Sequence, residues 1–85
     1  MPVIKLYASL RKLAGTKDLS ITGTTVGVVM SELARKYPPV GEIILQNGGI
    51  APHVIATLNG HNITDLETPV TEQDLVAIFP PLAGG

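Results

Sequence analysis

The residues of this 85-residue sequence whose types and spacing could do chemistry are its last seven, Phe79-Pro80-Pro81-Leu82-Ala83-Gly84-Gly85. No cysteine is present, so disulfides, thiolate metal sites and cysteine nucleophiles are excluded together. A reactive group handled by this chain is therefore expected on its own terminal carboxyl, at Gly85. Gly84 and Gly85 carry no Cβ, which lets a partner close around the backbone and reach the terminal carbonyl carbon. Pro80 and Pro81 fix φ and favour extended backbone, so the tail is expected to project from the preceding strand instead of folding back. Extended, residues 80–85 could span roughly 20 Å, enough to reach the bottom of a cleft. Pro80, Pro81, Leu82 and Ala83 are thereby assigned to positioning, Phe79 to anchoring the root, and Gly84 to clearance.

Composition narrows what else the chain could be. With 45% hydrophobic and 15% charged residues it should fold as one domain, read as residues 1–79 with a projecting tail at 80–85. No apolar run approaches the ~20 residues that span a bilayer, and no export signal opens the sequence, so no membrane partner and a cytoplasmic address are expected. A net charge of −1 and three dispersed aromatics, Tyr7, Tyr37 and Phe79, give neither an electrostatic footprint nor a stacking platform for nucleic acid. Asn47-Gly48-Gly49 lacks the following Lys-Ser/Thr of a phosphate loop and reads as a turn. His53 and His61 stand on different segments without a third ligand; a turn and a strand start are the expected settings, and no metal is assigned.

The elements that must hold the tail follow from periodicity. Residues 3–8 alternate, with Ile4, Leu6 and Ala8 on one face and Lys5 and Tyr7 on the other. A loop over residues 11–15 leads to a second strand at 18–22, with Leu10 and Leu13 expected beneath its edge. Thr24 or Thr25 caps a helix whose stripe is Val26, Val29, Met30, Leu33, Ala34 and Tyr37, stopped by Pro38-Pro39. Gly27 within it suggests close packing or a late start. Residues 40–52 give weak signals, one helical turn at 42–45 among them. A strand at 54–58, the Asn59-Gly60 turn, a short edge segment and an apolar strand at 75–79 complete the order. The last strand is apolar on both faces, as a central strand should be. One helix covers one sheet face, an α+β arrangement with the first and last strands as parallel central neighbours.

This order, the connection from Leu10-Arg11 to Gly15, the helix from Val26, the Leu58-Asn59-Gly60 turn and the Phe79 to Gly85 ending together resemble the β-grasp, ubiquitin-like sulfur carriers, in particular the molybdopterin synthase small subunit. The resemblance implies a mixed sheet of four to five strands with one main helix packed across it. It also implies a route for the tail. An E1-like adenylating enzyme would use ATP to activate the Gly85 carboxylate, and a sulfur donor protein would convert it to a thiocarboxylate. The large subunit of molybdopterin synthase would supply the catalytic side chains and deliver sulfur to the pyranopterin precursor that binds molybdenum or tungsten. No cofactor would be bound permanently, and the chain would be a carrier and not an enzyme. Partners would dock on the sheet face away from the helix, with Tyr7, Ile55 and Ile78 as candidates by strand phase. Two other readings stay open: a ubiquitin-like modifier joined through Gly85 to target lysines, and a small binding domain without tail chemistry.

Overall fold

A computed structural model describes residues 1–81. In β1 (Val3–Leu6), alternation buries Ile4 and Leu6 and turns Val3 and Lys5 to the opposite face. The connection that follows is not a plain loop: Ser9–Ala14 form a short helix, α1, closed by Gly15 in the left-handed conformation at φ 79°. Leu10 is buried as expected, whereas Leu13 is exposed. Leu10 reaches the core from the first turn of α1, while Leu13, near its end, lies beyond the core's margin. The chain returns as β2 (Asp18–Ser20), antiparallel to β1.

The main helix, α2 (Val26–Lys36), starts where Thr25 Oγ1 accepts the Val28 amide at 3.2 Å. Val26, Val29, Met30 and Leu33 form its buried stripe, with Ala34 and Tyr37 partly covered. Gly27 is explained by close packing: its amide donates to the Leu66 carbonyl at 2.8 Å, and a Cβ there would stand 3.1 Å from that oxygen. Pro38 and Pro39 end α2 and at once begin α3 (Pro38–Ile44), because proline at the first helical position forfeits no intrahelical hydrogen bond. The small hairpin β3 (Leu45–Gln46) and β4 (Gly49–Ile50) follows, turning at Asn47-Gly48, both with positive φ. Then come β5 (Ile55–Leu58), β6 (His61–Ile63) and β7 (Leu75–Phe79).

The main sheet has the order β2-β1-β7-β5-β6, with β1 and β7 parallel and central. β7 is flanked by β1 and β5, with Val76 and Ile78 turned into the core and Leu75, Ala77 and Phe79 on the opposite face. Ile4, Leu6, Ala56, Val76 and Ile78 meet the stripe of α2 in one cluster, closed at its margins by Leu10, Ile21, Val40 and Ile44. Twelve side chains there are essentially inaccessible, each stabilising by about 1.5–3 kcal/mol relative to exposure. No polar side chain among the described residues is buried with them.

Asn59 does more than turn the β5–β6 hairpin. At φ 50° it donates from Nδ2 to Asp74 Oδ1 at 2.8 Å and accepts the Leu75 amide on Oδ1 at 2.9 Å, tying the hairpin to the start of β7. The Thr71 amide donates to the other Asp74 oxygen at 2.7 Å. These donors, the Thr71 amide foremost and Asn59 next, hold the Asp74 carboxyl below the ordinary carboxylate range. A folded-state pKa below the unfolded one contributes stability that is full above about pH 4 and is lost as pH falls through the lowered value. The stability gap between the native chain and an Asp74→Asn variant should therefore narrow on acidification from pH 7 to below the carboxylate range. Denaturant titrations at the two pH values measure it, and a gap of constant size would show that the charge is not what matters.

Candidate functional site

The last residue of β7 is fixed by a ring pair. Tyr7 and Phe79 stack with centroids 4.4 Å apart and planes 12° from parallel, a geometry worth about 0.5–1.5 kcal/mol beyond burial. Parallel pairing brings them together: Leu6 lies beside Ile78, and the Tyr7 amide continues the ladder by donating to the Ile78 carbonyl at 3.3 Å. Phe79 also stands directly opposite Ile55 in the antiparallel pairing of β5 and β7. Tyr7, Phe79 and Ile55 thus form a row across three strands, on the sheet face away from α2 and at the end where Pro80 and Pro81 leave β7.

That row remains open. Ile55 is 51% exposed and Tyr7 39%, while Phe79 is half-buried between them. Two of the three docking candidates named from strand phase lie on it. Ile78 does not: it is inaccessible and packs on the helix side. An all-apolar strand carries no phase of its own, and only the registers with β1 and β5 show that Leu75, Ala77 and Phe79 share the open face. The signal that could have found Phe79 was alternation counted across from Tyr7.

Immediately after Tyr7 the backbone reverses at Ala8, with φ 53° and ψ −126°. This conformation suits glycine, and an alanine there carries roughly 1–3 kcal/mol of strain. Ala8→Gly should accordingly raise stability by about 0.5–1 kcal/mol, read as a higher urea midpoint. A lower midpoint would mean that the alanine methyl contributes more than its backbone costs.

Pro80 is partly covered and Pro81 exposed. Leu82, Ala83, Gly84 and Gly85, assigned above to positioning, clearance and chemistry, lie outside the described residues. His53 stands in the turn before β5 with φ 68°, and His61 opens β6; among the described residues no three His, Cys, Asp or Glu side chains gather as a metal site. No helix among them is long and apolar enough to cross a membrane.

The family model described as the ThiS family matches residues 4–85. The chain belongs to the ThiS family. A curated relative, small archaeal modifier protein 3 of Haloferax volcanii, is 30% identical over 96% of both chains. The solution structure of small archaeal modifier protein 1 from Methanosarcina acetivorans superposes with a TM-score of 0.87 at 32% identity, covering 98% of this chain and 94% of that one. CysO of Mycobacterium tuberculosis gives 0.85 at 25% identity over 96% of this chain and all of its own. This ThiS-family chain is therefore a ubiquitin-like protein of the sulfur-carrier and modifier group, and its mixed five-stranded sheet is a β-grasp.

Proposed function

We propose that this ThiS-family chain carries sulfur on its C-terminal carboxyl as the small subunit of a molybdopterin synthase. The observation that supports the reading best is the continuity of the central strand with the tail. β7 ends in a ring clamped by Tyr7, passes into Pro80-Pro81, and leads in sequence to Gly84-Gly85. A tail rooted in the most heavily paired strand loses little orientation when a partner grips it, which favours transfer chemistry at its end.

In this reading an E1-like enzyme transfers AMP from ATP to a Gly85 carboxylate oxygen, releasing pyrophosphate. The terminal sulfur of a donor persulfide attacks the acyl carbon and expels AMP. A second thiol of the donor then cleaves the S–S bond, leaving Gly85 as a thiocarboxylate and the donor side as a disulfide. Electrons balance without any residue of this chain being oxidised. Because the chain has no cysteine, no thiol of its own competes for the activated acyl group. The thiocarboxylate would be spent on the pyranopterin precursor in the large subunit, which holds the catalytic side chains. The Phe79-Pro80-Pro81 lead supports this acceptor by its resemblance to that small subunit.

A second reading has its own support. Relatives 30% and 32% identical are small archaeal modifier proteins, and the same adenylated Gly85 could be taken by a lysine amine to form an isopeptide bond. Intact-mass measurement after incubation with ATP, the activating enzyme and a sulfur donor separates the two. Replacement of one oxygen by sulfur, confined to the C-terminal peptide, is the expected result. An adenylate that passes to lysine with no thiocarboxylate formed would transfer the conclusion to the modifier.

A further inference from the structure

Charge is segregated along this chain. Residues 1–17 hold Lys5, Arg11, Lys12 and Lys17 and no carboxylate, whereas residues 37–85 hold Glu42, Asp65, Glu67, Glu72 and Asp74 and no lysine or arginine. The fold keeps part of this separation in space, Glu42 excepted, since α3 packs against α1. Lys17 lies at the tail-root end of the sheet, since its carbonyl accepts the Leu6 amide at 2.8 Å, and Arg11 follows in α1 directly after Tyr7. Asp74 lies at the far end, where its carbonyl accepts the Val3 amide at 3.1 Å. The segment with Asp65 and Glu67 is held at that same end, with the Leu66 and Thr68 carbonyls accepting the first amides of α2.

At the basic end, Lys5, Leu6, Tyr7, Arg11 and Lys17 line an open pocket of about 160 Å³. Arg35 with Glu32 is the one ion pair among the described residues, so the three cations around the pocket lack a carboxylate partner there. Asp18 stands directly opposite Lys5 on β2, and three cations against this one carboxylate leave the rim net positive. Tyr7 is shared between the pocket and the apolar row with Phe79 and Ile55.

We infer that this pocket receives a carboxylate from an acidic segment of a protein that takes the tail, with a neighbouring apolar side chain of that segment lying on the Tyr7–Phe79 row. Charge complementarity selects the occupant: three cations rim the pocket, and a carboxylate is the group they fit. The inference concerns the body of the domain and stands whether the tail carries sulfur or is conjugated to lysine.

The test uses the full chain, labelled with nitrogen-15, titrated with a capped hexapeptide of alternating glutamate and leucine. Saturable amide shifts are expected at residues 5–7, 11 and 17, with affinity lowered about tenfold or more in an Arg11→Glu, Lys17→Glu double variant and weakened by added salt. Both substituted side chains are exposed, and an Asp65→Lys variant at the far end should bind as the native chain does. Deleting Gly84 and Gly85 should leave the titration unchanged, so failed sulfur loading and failed peptide binding are separate results. Shifts indifferent to the double charge reversal, or equal shifts with the glutamine-leucine peptide, would overturn the inference. Saturation of the same amides by inorganic phosphate at equal concentration would assign the pocket to a small anion instead, and salt-sensitive self-association in sedimentation would assign it to a second copy; either overturns it.

Discussion

Deletion of Gly85 should cut sulfur loading by at least about a hundredfold while leaving thermal stability unchanged. The deletion moves the terminal carboxyl back by one residue, roughly 3.5 Å along an extended chain, and places Gly84 at the end. Displacements of about 1 Å at a reacting centre already cost on the order of a hundredfold, so an activating enzyme built around the full tail should lose essentially all transfer. The body should not notice. Substitutions away from packed or hydrogen-bonded features usually stay within about 0.5 kcal/mol, and the described core ends at Ile78 and the half-buried Phe79. Intact mass reads the loading and calorimetry the stability. Loading that persisted in the shortened chain would sink the proposed mechanism outright.

The largest effect on stability should come from one methyl group, in Gly41→Ala. Gly41 is buried on α3 where that helix crosses α2. A Cβ at this position would press on the Ala34 methyl and stand 2.8 Å from the Ala34 Cα, which belongs to a helix backbone and cannot rotate away. The helices would have to part, at a cost of about 2–3 kcal/mol. For a domain of this size that lowers Tm by roughly 10–20 °C. Ala34→Gly alone should cost about 1 kcal/mol as a glycine inside a helix, yet combined with Gly41→Ala it should recover much of the loss. A double-mutant cycle states the result as a coupling energy; two losses that simply add would show that the helix crossing is not the cause.

Where a local pattern and the tertiary contacts make the same demand, the fold was legible beforehand. The alternation of β1, the stripe of α2, its Thr25 cap, the Asn59-Gly60 turn and the central place of β7 all have this character. Ser9–Ala14 does not, and Pro38–Ile44 showed only its end, in the helical turn expected at residues 42–45. Six or seven residues are too few to display a helical period, and α1 has no side-chain cap at its start. These helices exist because Leu10, Val40 and Ile44 find room in the core, a fact about the rest of the molecule. Gly41 was invisible for the same reason: a glycine in sequence signals flexibility, and only the crossing with Ala34 shows that it is there for its smallness. The chemistry assigned to Phe79 through Gly85 rests on the sequence alone, and the setting of its root was not legible there. The Tyr7–Phe79 pair joins opposite ends of the sequence, and the basic pocket gathers residues from β1, α1 and the turn before β2.

The parallel pairing of β1 with β7 also governs when the domain can form. Val3 must wait for Leu75, about seventy residues downstream, before the middle of the sheet exists. Until then β1 and β5 present unpaired edges, and the stripe of α2 has half a surface to cover. Contacts this distant slow folding, and mixed α and β domains fall between fast helical bundles and slow all-β domains. The strand that completes the sheet is the one that leads directly into the tail. A nascent chain released before Leu75 would hold no closed sheet and, under the proposed function, no Gly-Gly end for an activating enzyme to take.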